Sequence, residues 1–142
     1  MKKKAIIAVL VAVLLVCSAF AIYGYQVDST GALPMELNGN TYYMAGYLTR
    51  ANSSSYSFSA ETTTANPYSN ANISVSVVVV PYNTSLPAVS DSDAKVGTTH
   101  VAASAGSVST TNGASAGGGH GASIYYGTQG ASNSGSTSWI KS

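Results

Sequence analysis

The valine-rich segment 72–82, NISVSVVVVPY, has the clearest alternation of apolar and polar residues in the chain. Its odd-numbered positions from 73 to 79 are β-branched and apolar, whereas the even positions of its first half are Asn or Ser. This period of two predicts a β-strand with one buried face. Val78 and Val80 interrupt the polar face, so we expect that end of the strand to be covered on both sides. Pro81 ends the strand, because proline cannot donate to a central ladder.

Two earlier segments alternate in the same way. In 54–65, SSYSFSAETTTA, the aromatic residues and Ala60 share one face, and the serines and Glu61 share the other. Segment 41–51, TYYMAGYLTRA, places Tyr43 and Tyr47 opposite the face that carries its Met and Leu side chains. An Asn-Pro turn signal follows position 65, so we expect 54–65 and 72–82 to pair as antiparallel neighbours. Together the three segments predict a meander.

The second half of the chain gives weaker signals. Segment 97–108 alternates and predicts a strand whose Val101, Ala103 and Ala105 point inward. Segment 109–121 is rich in glycine. We expect 113–121 to be a mobile connection, because glycines have no side chain to bury and lose much backbone entropy when they are ordered. The remaining assignments are a loop at 86–94, a short strand at 122–126, a turn region at 127–135 and a terminal strand at 136–140.

These elements predict an all-β fold of six to seven short strands with no amphipathic helix. One sheet alone would leave an apolar face in water, so two sheets are expected, as a small antiparallel β-sandwich or jelly-roll-like domain. We place this domain at 41–142. Residues 22–40 are then an N-terminal extension or a first short strand. A length of 142 residues suits one domain.

The N-terminus has the pattern of a signal peptide. Lys2, Lys3 and Lys4 precede the apolar run 5–17, and Ala19-Phe20-Ala21 supplies small residues at a cleavage site. We therefore predict a signal peptide at 1–21 and a protein of bacterial type that is secreted or on the extracellular cell surface. The alternative is an uncleaved anchor, since residues 5–24 are enough to span a hydrocarbon core of about 30 Å.

Composition and charge narrow the range of partners. Only 8% of residues are charged. After position 21, three basic residues stand against five acidic ones, a net charge of −2. This charge offers no electrostatic surface for nucleic acid, and membrane contact is expected only through an uncleaved leader. The single cysteine, Cys17, lies in the leader, so the predicted domain has no disulfide and no thiolate.

Candidate catalytic and metal-binding residues are few. His100 and His120 are the two histidines, and they would meet only if their strands pair. Neither lies in a zinc-binding motif, and Asp91 and Asp93 lack the glycine and final acidic ligand of a calcium loop. No nucleophile elbow and no phosphate-binding lysine accompanies the serines and glycines. We therefore assign no catalytic, metal or cofactor-binding residue, and predict that the protein is not an enzyme and uses no cofactor.

The aromatic residues are the candidate ligand-binding groups, because tyrosine and tryptophan on a strand face can stack on sugar rings while their polar atoms stay in water. The alternative is that they fill a core poor in Leu and Ile, with their polar atoms at its edge. The candidates are Tyr43 and Tyr47, which share a face, the pair Tyr125 and Tyr126, and Trp139.

These patterns predict a secreted or cell-surface, non-enzymatic β domain that acts by binding or association. Its expected partners are cell-wall polysaccharide, a surface protein or a second copy of itself. One alternative is a carbohydrate-binding module that uses exposed tyrosines, which requires the face with Tyr43 and Tyr47 to be exposed and flat. Another is a secreted, bacteriocin-like antagonistic protein.

Overall fold

A computed structural model describes residues 24–51, 56–65 and 71–141, so the predicted signal peptide lies outside the described residues. These residues form eight strands of 8 to 13 residues, arranged as two four-stranded antiparallel sheets. The predicted all-β antiparallel sandwich is confirmed, with more and longer strands than expected. The strands are β1 Tyr25–Leu37, β2 Asn40–Arg50, β3 Tyr56–Thr64, β4 Asn72–Pro81, β5 Val89–Val96, β6 His100–Val108, β7 Ala114–Tyr126 and β8 Gln129–Ile140.

The strand order is β1-β2-β3-β6 in one sheet, called sheet A, and β5-β4-β7-β8 in the other, called sheet B. Asn38 and Gly39 join β1 to β2, both with positive φ, of 52° and 74°. Positive φ at both central residues is the requirement of a type I′ hairpin turn, for which Asn-Gly is a preferred pair. Across the three described ranges, no helix is long and apolar enough to cross a membrane.

The predicted pairing of segments 54–65 and 72–82 is wrong. Their strands β3 and β4 belong to different sheets: β3 pairs with β2 and β6, and β4 pairs with β5 and β7. Alternation identifies which face of a strand is buried but not which strand lies beside it. Here the two apolar faces meet across the core instead of lying side by side in one sheet.

The sandwich begins earlier in the chain than residue 41. Strand β1 occupies 13 residues of the segment 22–40, the predicted extension or first short strand, and pairs with β2 over its whole length. Its register shifts between Gln26 and Asp28 and again between Ser29 and Ala32. Such irregularities bend a strand and increase its twist. Residues 25–37 thus form an edge strand of sheet A.

The predicted mobile connection at 113–121 is also wrong. Residues 114–126 form the long strand β7 in the interior of sheet B, between β4 and β8. Its backbone is ordered by hydrogen-bonded ladders with β4 and β8, which substitute for the side-chain contacts that glycine lacks. The predicted loop at 86–94 likewise contains most of β5, and the predicted turn region at 127–135 is mostly β8. In these segments, strand pairing outweighs the low β-propensity of Gly, Ser and Asp.

The core lies between the sheets and has two clusters of buried residues. The apolar odd-numbered residues of β4 lie in the larger one, as predicted, and the inward residues of β6 are also confirmed. Val78 and Val80 are 38% and 44% exposed, so the expected cover on both faces is wrong. The larger cluster centres on Leu48, Phe58, Ile73, Val77, Val79 and Val101; the smaller holds Met35, Met44, Ala71, Ala122 and Ile124.

Two aspartates join the sheets at their edges. Asp28 of β1 accepts a hydrogen bond from the backbone N–H of Ser138 in β8, at 2.7 Å. At the opposite side, Asp91 of β5 accepts one from the N–H of Ser104 in β6, at 3.0 Å. All four strands are sheet edges, whose free backbone groups are sites for unwanted pairing with other chains. The two carboxylates therefore occupy edge N–H groups and tie the sheets together.

Candidate functional site

The outer face of sheet B carries small, uncharged side chains. Inward residues alternate with outward ones along each strand, so this face presents the even positions of β4, β5 and β8 and the odd positions of β7. One row across the sheet reads Ser92, Ser76, Gly119 and Ser136, and the next reads Ala94, Ser74, Gly121 and Ser134. None of these outward positions carries a charged residue.

Glycines form a shallow groove along β7 on this face. Gly117, Gly119 and Gly121 make its floor, and serines of β4 and β8 make its walls. A Cβ placed on Gly119 would lie 2.7 Å from the hydroxyl of Ser76, so the wall hydroxyl leans over the space that the missing side chain leaves. We call this feature the β7 groove. Its residues are Ser74, Ser76, Gly117, Gly119, Gly121, Ser134, Ser136 and Ser138.

The two ends of the β7 groove differ. Tyr125 lies at one end, 46% exposed, with its ring over its cross-strand partner Gly130. At the other end, Val78, Val80 and Ile140 are 38%, 44% and 69% exposed. The groove thus runs from an exposed aromatic ring, past rows of hydroxyl groups, to an apolar patch.

The five predicted aromatic candidates lie in three different places. Tyr43 and Tyr47 do share a face, the outer face of sheet A, but Tyr43 is half-buried and Tyr47 is only 7% exposed. Trp139 packs into the larger core cluster, with its ring centroid 5.1 Å from that of Phe58. Tyr125 and Tyr126 are exposed, and they are the candidates that the structure leaves accessible to a ligand.

The guanidinium of Arg50 explains the position of Trp139. It lies 4.8 Å from the centroid of the Trp139 ring and 5.1 Å from that of Tyr56, in a side chain that is only 9% exposed. Cations stack favourably on aromatic faces, and more so when water is excluded. Trp139 therefore takes part in an internal stack and does not offer its face as a sugar-binding platform.

The two histidines do not meet. His100 lies on the outer face of sheet A, where its Nε2 is 2.5 Å from Oε1 of Glu61. His120 points into the core, where its Nδ1 is 3.1 Å from Oγ1 of Thr62. Glu61 and Thr62 are consecutive in β3 and face opposite sides of sheet A, so the sheet separates the two imidazoles.

The pKa values of Glu61 and His120 are shifted in opposite directions. Burial raises the pKa of Glu61, and the contact with His100 acts in the opposite direction. Burial lowers the pKa of His120, opposed by the backbone carbonyl of Glu61 and by the charge of Asp28. Both shifts arise first from loss of solvent around a charged form. Among residues 24–51, 56–65 and 71–141, no three side chains of His, Cys, Asp or Glu cluster as metal ligands would.

Sequence reasoning did not find the β7 groove. The glycines have the composition of a loop, the serines of 72–82 form a polar face without an assigned role, and Ser134 lies in the predicted turn region 127–135. A weak signal was present in 132–138, where Ser recurs at every second residue, with the period of a strand face. Comparisons with protein-family models, with curated proteins and with solved structures found no match.

Proposed function

We propose that this chain is a non-enzymatic β domain, secreted or held at the cell surface, that acts by binding through the β7 groove. The observation that carries this proposal is the uncharged outer face of sheet B, with its glycine floor, exposed serine hydroxyls and exposed Tyr125. The signal-peptide pattern at residues 1–21 supports action outside the cytoplasm.

The shape of the groove favours an extended ligand. The glycine floor from Gly117 to Gly121 covers about 13 Å, at a rise of roughly 3.3 Å per residue, and Tyr125 lies about another 13 Å along β7. The groove is shallow along this length, unlike the concave cavities that enclose small molecules. An extended polymer chain can contact hydroxyls on both walls at once, because serines of β4 and β8 line opposite sides.

An uncharged polysaccharide is the ligand class that this surface suits best, which makes a carbohydrate-binding module the more specific form of the proposal. Serine hydroxyls both donate and accept hydrogen bonds, and so match the hydroxyls of sugars. The exposed ring of Tyr125 provides a face against which a sugar can stack, with its phenol oxygen in water. Cell-wall polysaccharide is the corresponding partner of an exported domain.

A substitution that fills the groove tests the proposal. A Cβ on Gly117 would meet only ordinary contacts, at 3.8 Å from Val78 and from the carbonyl oxygen of Thr137. Gly117→Thr should therefore raise the floor without disrupting the core. Gly106→Thr in β6 is the matched control, because a Cβ there meets no atom of the described residues within 4 Å.

The measurement is binding of the protein to insoluble cell-wall polysaccharide and to whole cells. We expect the unmodified protein and Gly106→Thr to bind equally, and Gly117→Thr to bind at least about tenfold more weakly, a loss of roughly 1.4 kcal/mol. Equal binding by both variants would refute the groove as the binding surface. Binding to cells but not to polysaccharide, still lost in Gly117→Thr, would replace the sugar with a protein partner.

A further inference from the structure

The side chain of His120 occupies an unusual place for an imidazole. It is 4% exposed and lies between the two apolar clusters of the core. On β7 the larger cluster includes Ala116, and the smaller cluster begins at Ala122. On β2, opposite, Gly46 lies between Met44 of the smaller cluster and Leu48 of the larger one.

Two hydroxyls hold the ring. Nδ1 of His120 is 3.1 Å from Oγ1 of Thr62 in β3, and Nε2 is 2.9 Å from Oγ1 of Thr137 in β8. The hydroxyl of Thr62 donates to the carbonyl oxygen of Ser74 in β4, at 2.9 Å. These bonds link four strands from both sheets. We call Thr62, His120 and Thr137 the polar layer.

The hydrogen-bond directions in the polar layer determine the protonation of the ring. A threonine hydroxyl has one hydrogen, and that of Thr62 is used on the carbonyl of Ser74. Thr62 must then accept from His120, so Nδ1 carries a hydrogen. Thr137 then completes the set by donating to Nε2. The contact with Thr62 therefore places a hydrogen on Nδ1, and His120 is neutral when Thr137 is the donor to Nε2.

Two glycines make room for the ring. A Cβ on Gly46 would collide with the imidazole of His120 at Cγ. A Cβ on Gly118 would lie 2.9 Å from Nε2 of His120 and 2.5 Å from Oγ1 of Thr137. The neighbouring strands are thus shaped around the polar layer, which leaves little freedom for the ring to turn or withdraw.

A proton on Nε2 would disturb this arrangement in two ways. It would place a positive charge among apolar side chains, and it would face Thr137, whose own hydroxyl hydrogen would lose its acceptor. The charged groups around the ring give limited compensation. Asp28 of β1 favours the protonated form through its charge. The Glu61 carboxylate lies on the outer face with His100, and Arg50 of β2 lies in the aromatic stack with Trp139.

Among residues 24–51, 56–65 and 71–141, the remaining neighbours of the ring add no charge. The residues of β4 and β8 include no titratable side chain, and the tyrosines of β7 lie beyond Ile124 at its exposed end. We propose that the polar layer is an acid-sensitive latch between the sheets, which holds the sandwich closed while His120 is neutral and weakens it when the ring takes up a proton.

The direction of the pH effect follows from the folded and unfolded forms. The pKa of His120 is lowered by burial in the folded protein, so the unfolded chain binds a proton first as pH falls. Stability is therefore full above the unfolded pKa of about 6.5 and is lost as pH falls below it toward the folded value. Glu61 acts oppositely, because its raised pKa adds stability as pH falls.

The test removes the opposing group first. In the full chain carrying Glu61→Gln, we expect the melting temperature to fall by on the order of 5 °C between about pH 7.5 and about pH 5.5. Adding His120→Asn, which can keep a donor toward Thr62, should abolish this fall. Adding His100→Asn instead should leave the fall unchanged, since His100 lies outside the core.

Nitrogen-15 NMR of the unmodified protein gives a second measurement that does not depend on a variant folding. We expect His120 to show the neutral form with hydrogen on Nδ1 throughout the folded pH range. Titration of His120 with an ordinary histidine pKa and no loss of structure would overturn the proposal. So would an acid-dependent fall that persists unchanged when His120→Asn is added.

Discussion

The outer faces of the two sheets differ in what they leave accessible. On sheet A, Tyr47 is 7% exposed, and the Glu61 carboxylate is largely buried against His100. On sheet B, the outward serines of β4 and β8 are exposed, the outward glycines of β7 between them are half-buried, and Tyr125 is 46% exposed. The same residue type, tyrosine, is thus part of the packed structure on one face and free to meet a ligand on the other.

This difference shows that residue identity does not reveal which outward position is available for binding. The glycines of β7 illustrate the same point within one strand. Gly118 faces the core, where an added Cβ would meet Thr137 and Ala60 at close range, whereas a Cβ on the outward Gly117 would make only ordinary contacts, at 3.8 Å. The inward Gly118 is needed for close packing in the core, whereas the outward Gly117 is not needed for packing and forms part of the groove floor.

Tyr47 and Tyr125 should differ most. We expect Tyr47→Ala to lower the free energy of unfolding by about 3 kcal/mol, because a buried aromatic side chain is removed. Tyr125→Ala should cost about 1 kcal/mol, mainly through lost cover over Gly130. Urea denaturation of both variants measures the difference. Similar losses for both would mean that the two outer faces are not structurally distinct.

Gly118 and Gly117 provide the second pair. Gly118→Ala should destabilise the protein by about 1–3 kcal/mol, since its Cβ would lie 2.5 Å from the hydroxyl oxygen of Thr137. Gly117→Ala should be neutral or stabilising by up to about 1 kcal/mol, because alanine restricts the unfolded chain. The same denaturation measurement compares them. A larger loss for Gly117→Ala would show that the groove floor is needed for folding.

The smallest effect concerns the edge where β5 meets β6. Asp91→Ala should cost about 1 kcal/mol, because the backbone N–H of Ser104 loses its acceptor. Asp93→Ala should change stability by less than about 0.5 kcal/mol, since its ion pair with Lys95 is exposed. Hydrogen exchange at Ser104 should increase only in Asp91→Ala. Unchanged exchange there would remove Asp91 as the link between the two edges.

The alternating segments made much of the core predictable from sequence. In β4 the inward valines, and in β3 Tyr56 and Phe58, are buried as their period of two indicates. The same pattern does not indicate which strands pair, and the prediction that β3 and β4 pair in one sheet is therefore wrong. Side-chain period depends on one strand and its burial, whereas strand order depends on contacts between distant segments.

The β7 groove could not be predicted, because its members come together only through strand pairing. Gly119 lies beside Ser76 of β4 on one side and Ser136 of β8 on the other. Locally, a run of glycines has the composition of a loop, and the ladders that make it a strand lie outside the run. His120 was similarly ambiguous, since nothing near it in sequence indicates Thr62 as its partner.

An NMR titration with soluble cell-wall polysaccharide tests the binding surface most directly. Backbone amide shifts would be followed on both outer faces of the protein. We predict saturable shifts at Ser76, Gly119 and Ser136, extending to Tyr125, with no change at Ala102 and Ser104 on sheet A. Shifts confined to the outer face of sheet A, with the amides of the β7 groove unmoved, would contradict the assignment of sheet B as the binding face.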